Sequence, residues 1–485
     1  MSLRICLVAS EVAPFAKTGG LGDVAAALPR YLKKHGHDVR TFLPLYGSVK
    51  PSGQAFVPVA FLQDVPIALG THRFTYSVFT APLPGTDCWI YFVSCPPLYG
   101  REGIYSNRGD EHLRFALLSR AALESCQRMG FAPHVVHCND WHSALIPLWL
   151  KTDYRWDRLF AETKTVLTIH NLGYQGGFPV SVIPDLGLSG RESMLHQGEL
   201  RRGRVSFMVA GILYADAITA VSRTYAREIQ TAEHGFGLDP MLRARADHVF
   251  GIVNGVDVDI WSPVADPHLP ARYSAADLSG KAICRAGLLQ DAGLAPAPTG
   301  PVFGVVSRLT AQKGFDLFPE VMPRILATND VRLVALGSGS DEIAGMFRNL
   351  ERAFPGKVRF REGYDEPQAH RIEAGADVFL MPSRFEPCGL NQMYSLLYGT
   401  VPVVRRTGGL ADTVEQYDPA TGRGTGILFD SYDATGFRWA VETALRLFRD
   451  RELWRRLVLN GMSEDFSWDQ QAERYLAIYR ELLIN

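Results

Sequence analysis

Short runs of consecutive apolar residues alternate along the chain with longer stretches that are apolar every third or fourth position. RICLVAS (4–10) leads to DVAAALPRYLKKHG (23–36) and then DVRTFLP (38–44). The beat returns with PHVVHCND (133–140) before WHSALIPLWL (141–150), then TKTVLTIHN (163–171), then ADAITAVS (215–222) before RTYAREIQ (223–230). Strand followed by helix followed by strand predicts a parallel sheet with helices on both faces. Residues 45–110 are less regular; FTYSVFT (74–80) and CWIYFVS (88–94) read as hairpin strands or an added edge.

Two proline-rich stretches, SPVADPHLPAR (262–272) and APAPTGP (295–301), read as connector. The alternation then restarts with PVFGVVSR (301–308), GFDLFPEVMPRILA (314–327), VRLVALGSG (331–339), VRFREG (358–363), ADVFLMPS (376–383) and TVPVVRR (400–406). The chain is therefore two α/β halves. Each opens with a strand, a loop carrying lysine before glycine (AKTGG, AQKGF) and a helix. Ligands of doubly wound sheets gather at the strand C-termini, so two such domains facing each other would make one deep cleft.

A chain of 485 residues is too long for one ordinary core, which agrees with two domains. Fifty basic against fifty-one acidic side chains give no overall field to gather nucleic acid or anionic lipid, so neither is expected as a partner. The N-terminus lacks the look of a signal peptide, and no apolar run reaches the roughly 20 residues of a membrane span, so the expected location is the cytoplasm. Seven scattered cysteines without a CxxC pair suit reduced thiols.

The candidate chemistry sits where strands end. In AKTGGLGDV (16–24) three glycines and Lys17 precede a helix. That arrangement suits an anion, or equally a tight strand-to-helix turn with a solvated lysine. A dinucleotide fingerprint fits poorly, because EVAPFAK intervenes after the first strand and no acid closes the second. In HCNDWH (137–142) Asp140 occupies a position suited to helix capping. A zinc site is disfavoured there because a strand sends His134 and His137 to opposite faces. His170 and Asn171 end the strand in TIHNLGYQG, and Asn254-Gly255 is first of all a turn signal. Arg308 and Lys313 in SRLTAQKG place two cations at a strand exit, a pattern that suits a diphosphate. In SRFEPCGLNQMYSLL, Glu386 precedes a turn and a helix start, and could be a base, a nucleophile or a hydroxyl acceptor. Cys388 reads as a small turn residue, since no local histidine pairs with it.

Taken together, KTGGLGDV, HCNDWH, TIHNLGYQG, VNGVDVDIW, SRLTAQKG, and SRFEPCGLNQMY with RRTGGLADTV closely resemble the bacterial glycogen synthases and plant starch synthases, in family order over residues 17–414. The resemblance implies the GT-B architecture of two Rossmann-like domains: residues 1–258 on the acceptor side, joined by a final helix at about 463–485 crossing back, and 259–462 holding the nucleotide sugar. It implies transfer of glucose from ADP-glucose to the non-reducing 4-hydroxyl of an α-1,4-glucan with retention, using no metal or cofactor. By the same likeness Lys17 and Gly20 bind the donor's phosphates and sugar, Asp23 touches the nucleotide, and Asp140 and His170 face the glucosyl group. Asn254 contacts sugar, Arg308 and Lys313 clamp the diphosphate, Tyr364 stacks on adenine, and Glu386 is the essential glutamate. Cys388, Gly389, Leu390 and Asn391 complete the donor side.

Two departures stand out. Tyr394 occupies the place, eight positions after Glu386, where related transferases often carry a second glutamate. Asn391 replaces a common threonine beside the phosphate, and its amide is expected to keep that contact. Arg308, Lys313 and the helix start near Gly389 and Leu390 would absorb the charge growing on the leaving diphosphate. Retention could follow double displacement through Glu386 or front-face attack, the latter favoured by the lack of an obvious partner carboxylate. Two rivals are an NAD-dependent oxidoreductase, opposed by the missing ribose acid, and a non-catalytic glucan-binding protein, which leaves Arg308, Lys313 and Glu386 without a task. A glucan phosphorylase would be longer.

Overall fold

The computed structural model describes residues 2–50, 56–101, 103–106, 108–297 and 299–484. The chain divides into two compact units. The first comprises Met1–Val221, Ala226–Ile252 and Trp468–Asn485; the second comprises Ser222–Tyr225 and Val253–Ser467. The expected boundaries are 258 and 462, whereas the units cross after Ile252 and after Ser467, so Asn254 falls in the second unit.

The first unit is built on a sheet whose parallel strands lie in the order Val249–Gly251, Ala217–Ala220, Lys164–Ile169, Val135–Asn139, Arg4–Val8, Asp38–Pro44 and Trp89–Ser94. Strand His72–Pro82 adds to Trp89–Ser94 antiparallel, so the irregular region supplies both a hairpin and an edge. Strands Val135–Asn139 and Arg4–Val8 are almost wholly buried, as helices on both faces require. The chain runs outward in opposite directions from Arg4–Val8, which puts the topological switch between that strand and Val135–Asn139. Helix Gly20–Lys34 buries Leu21, Val24, Ala25, Leu28, Tyr31 and Leu32, a stripe at helical spacing.

The C-terminal helix, Trp468–Ile484, belongs to the first unit. Trp468, Tyr475 and Tyr479 are buried, and Lys34 Nζ meets Asp469 Oδ1 at 3.1 Å. Tyr479 Oη lies 2.6 Å from His137 Nδ1, and Thr168 Oγ1 lies 2.6 Å from its Nε2. A neutral imidazole has one donor and one acceptor nitrogen, which two hydroxyls can satisfy. Burial accordingly pulls the His137 pKa down to about 3.

In the second unit six parallel strands follow the order Val358–Glu362, Arg332–Gly339, Val302–Leu309, Val378–Met381, Val401–Arg405 and Ile427–Phe429. Numbered along the chain this is 3-2-1-4-5-6, the dinucleotide-binding order, with its switch between Val302–Leu309 and Val378–Met381. Phe318, Phe347 and Phe437 pack over Phe303, Val305, Leu333 and Val403 in its core. The two proline-rich stretches are not connectors. Asp266 is buried and accepts from Tyr398 Oη at 2.6 Å and pairs with His370 Nδ1 at 2.7 Å. The carbonyls of Ala295, Ala297 and Gly300 take guanidinium donors from Arg332 and Arg285. Proline lowers helix and strand propensity, and these side chains supply the partners that a packed irregular backbone then needs. Pro298 lies outside the described residues.

Replacing Tyr479 by Phe leaves one nitrogen of His137 without a partner and should cost about 1–3 kcal/mol in urea unfolding at pH 8; a loss below about 0.5 kcal/mol would contradict the pairing. His137 is neutral when folded but titrates near 6.5 when unfolded, so the unfolded chain binds the extra proton first. Its contribution is therefore whole above about pH 6.5 and is lost as pH falls toward 3.

Candidate active site

At the switch of the second unit, two loops meet beyond the strand ends. Strand Val302–Leu309 delivers Arg308, exposed and without a side-chain partner among the described residues, and then Lys313. Strand Val378–Met381 delivers Ser383 and Glu386. Lys313 Nζ lies 2.6 Å from Glu386 Oε2, which also accepts from Ser383 Oγ at 2.9 Å. Both charged side chains are largely buried, at 16% and 6% exposed. Sequence reasoning gave the lysine and the glutamate separate roles; the structure makes them one ion pair.

The loops fit because of two glycines. Gly314 sits at φ 74°, where a Cβ would lie 1.9 Å from the Pro382 carbonyl oxygen. Gly408 sits at φ 45°, and a Cβ there would lie 1.9 Å from the Glu386 carbonyl oxygen. The KG and TGG steps are therefore what let neighbouring backbones press the Glu386 loop into place.

Cys388 is buried against the backbone N–H of Asn254, and burial lifts its thiol to about 12, which excludes a nucleophilic thiolate. Asn254 is itself buried with Oδ1 lacking a hydrogen bond. Gly389, at φ 73°, and Leu390 lead into helix Asn391–Leu397, and the Leu390 and Asn391 amides take no acceptor among the described residues. The Asn391 side chain donates to Val306 O at 3.0 Å, so at least one of its two N–H groups serves the fold. Tyr364 is 67% exposed beyond strand Val358–Glu362. Ser222 Oγ donates to Pro387 O at 2.6 Å, while Asp412 accepts from Thr224 N and Oγ1 at 2.8 and 2.7 Å. No motif in the sequence signalled these last contacts.

At the switch of the first unit the glycine loop already holds an anion, and it is the protein's own. Glu11 follows strand Arg4–Val8 and is buried. Its Oε2 accepts from Thr18 N at 2.6 Å and Gly19 N at 3.1 Å; Oε1 accepts from Thr18 Oγ1 at 2.7 Å and Tyr105 Oη at 2.5 Å. The EVAPFAK insertion, which spoiled the dinucleotide fingerprint, thus carries the acid that fixes the loop. Lys17 Nζ meets Asp23 Oδ1 at 2.7 Å, and Gly20 begins the helix.

Asp140 does not cap its helix. It adopts φ 53°, and its Oδ1 accepts from His170 N at 2.7 Å and from Asn171 N at 3.4 Å, pinning the neighbouring strand end. Burial raises its carboxyl to about 7. His170 Nε2 lies 3.0 Å from Asn139 Oδ1, whose amide nitrogen donates to Val8 O; Nε2 is therefore the protonated nitrogen and Nδ1 the acceptor. Burial pulls its pKa down to about 3, so the ring is neutral. Tyr105 stacks on His142 at 5.1 Å, joining the HCNDWH segment to the Glu11 cluster.

Comparison with known proteins decides the family. A starch synthase catalytic domain profile matches residues 4–244, and a glycosyl transferases group 1 profile matches residues 290–460. The glycogen synthase of Anaeromyxobacter dehalogenans strain 2CP-1 is 49% identical, with 99% of each chain covered. That of Koribacter versatilis is 45% identical, covering 99% of this chain and 98% of the relative. The chain belongs to the glycogen and starch synthase family.

This family's fold is GT-B, and its members are retaining glucosyltransferases. The catalytic domain of starch synthase IV from Arabidopsis thaliana, bound to ADP and acarbose, superimposes with a TM-score of 0.93 at 33% identity over the whole of both chains. A sucrose-phosphate synthase from Thermosynechococcus elongatus, at 19% identity and TM-score 0.64, shares the fold. In this synthase family member Tyr394 stacks flat on Trp261 at 3.8 Å, and Trp261 in turn on His370 at 3.7 Å. The position of the missing second glutamate is therefore built into an aromatic stack.

Glu11→Gln removes a charged acceptor and presents an amide to two backbone N–H groups. It should cost about 1–3 kcal/mol in denaturant unfolding and lower turnover. Wild-type stability together with wild-type turnover would show that the glycine loop holds its shape without Glu11.

Proposed function

We propose that this chain transfers glucose from ADP-glucose to the 4-hydroxyl at the non-reducing end of an α-1,4-glucan with retention, without metal or cofactor. The observation that carries the reading is the Lys313–Glu386 pair at the switch point of the second unit, reached from the strand end that carries Arg308. A 3-2-1-4-5-6 sheet receives a nucleotide at that point. The relative solved with ADP supports the nucleotide moiety.

The chemistry follows from charge. Departure of the diphosphate leaves positive character on the sugar and negative charge on the leaving oxygens. Arg308 and Lys313, with the Leu390 and Asn391 amides, offer positive ends to those oxygens. Glu386 keeps Oε2 on Lys313 and Ser383, which makes that oxygen a weak nucleophile and leaves Oε1 to accept a sugar hydroxyl. The acceptor's proton then passes to the departing phosphate oxygen on the face the donor leaves, so the front-face route is favoured over a covalent Glu386 intermediate. Tyr364 is assigned to adenine, Asn254 and Gly389 to the donor, and Cys388 to shaping the turn. In the first unit, Asp140 and His170 are assigned to the glucosyl group, and Lys17, Gly20 and Asp23 to the donor. Glycogen or a maltooligosaccharide is the acceptor, and the cytoplasm the setting.

The test is to incubate the protein with glycogen and labelled ADP-glucose or UDP-glucose in EDTA and count label in polymer. ADP-glucose should label the glucan; absence of label from both donors would overturn the reading. Glu386→Ala should reduce turnover by about 10²–10³, the scale of one preorganised polar group. Lys313→Ala should chiefly weaken ADP binding, by about tenfold or more, the measure of a lost charge-assisted contact, and unchanged ADP affinity would remove Lys313 from the clamp.

A further inference from the structure

The first unit has an open cavity of about 470 Å³ that the proposed reaction does not use. It lies at the opposite edge of the sheet from His170. Lys164, on its wall, opens strand Lys164–Ile169, and His170 follows that strand's last residue. At about 3.3 Å per residue the two are separated by roughly 20 Å. The C-terminal helix contributes Ile478 and Leu482 to the same cavity, and Leu213 and Phe250 extend the apolar wall.

We propose that this cavity binds a small phosphate monoester, with its phosphate on Lys164 and Arg245 and its polar ring body against Leu213 and Phe250. The charge arrangement carries the argument. Arg245 Nη1 donates to Ile212 O at 2.6 Å and Leu213 O at 3.2 Å, and Nη2 to Ala215 O at 2.7 Å. These bonds hold the guanidinium rigid and leave the Nε–H and one Nη2–H as an unused edge, the edge that grips a phosphate or carboxylate with two parallel bonds. No carboxylate forms an ion pair with Arg245 among the described residues. Burial pulls its pKa below the ordinary value, with the Asp216 charge acting the other way.

Lys164 is half-buried, and its ammonium has no hydrogen bond or ion pair among the described residues. The nearby carboxylate is already committed. Asp216 Oδ1 accepts from Lys151 Nζ at 3.0 Å, and Oδ2 accepts from Thr165 N and Oγ1 at 2.7 and 2.8 Å. Lys164 and Arg245 come from different elements and form no ion pair among the described residues, so together they can face a doubly charged phosphate. Asp247 and Glu481 are exposed at the lining, where they can accept ring hydroxyls and would repel a polyanion such as a nucleic acid. That combination selects a small ester over a polymer.

The experiment is isothermal titration of the full chain with a hexose phosphate (fructose 6-phosphate), a nucleoside monophosphate (AMP) and inorganic phosphate, with saturating ADP present. At least one ester should bind once per chain, at least tenfold more tightly than inorganic phosphate; the tighter ester identifies the ring. Lys164→Ala and Lys164→Glu should weaken that binding at least tenfold while ADP affinity stays within twofold. The proposal is overturned if neither ester binds under saturating ADP, if inorganic phosphate binds as tightly, or if both Lys164 variants bind like the wild type.

Discussion

A lysine and a glutamate from two strand-end loops meet at 2.6 Å inside the second unit, and the placement of that unit's polar groups turns on this contact. Such a pair is costly to bury and worth little by itself, but removing one partner leaves an uncompensated charge, commonly at about 3–5 kcal/mol. The pair therefore locks the loops more than it stabilises the fold. Its geometry demands Gly314 against Pro382 and Gly408 against Glu386, so the glycines and charges of the two motifs are one device. Lys313 is therefore already occupied, and the diphosphate contact proposed for it would be shared with Glu386.

The first unit uses the same logic with the signs exchanged. Its glycine loop offers backbone N–H groups, and Glu11 takes two of them together with the hydroxyls of Thr18 and Tyr105. Asp140 does likewise for the amides that follow strand Lys164–Ile169. In both units the strand ends are held by internal charges.

Much of this was legible in the sequence. The alternating apolar runs gave both sheets, because strands covered on both faces must be apolar throughout. The motifs marked the strand ends because glycine, lysine and acid cluster where a turn must be tight and polar. What escaped was long-range. The pairing of Lys313 with Glu386 spans 73 residues and that of Tyr105 with Glu11 spans 94, and no local spacing encodes either. Proline in 262–272 suggested a connector because composition reports backbone freedom, whereas Asp266, His370 and Tyr398 bind that segment through side chains far away in sequence. Asp140 escaped for a different reason: its left-handed backbone turns the carboxylate from its own helix to the next strand.

Competition of donor diphosphate with Glu386 for one lysine can be read from a double-mutant cycle on ADP affinity with Lys313→Met, Glu386→Gln and the double variant. Such competition makes the effect of Glu386→Gln change by more than about 0.5 kcal/mol when Lys313 is absent. Effects that add to within about 0.3 kcal/mol, as for sites that do not touch, would contradict it.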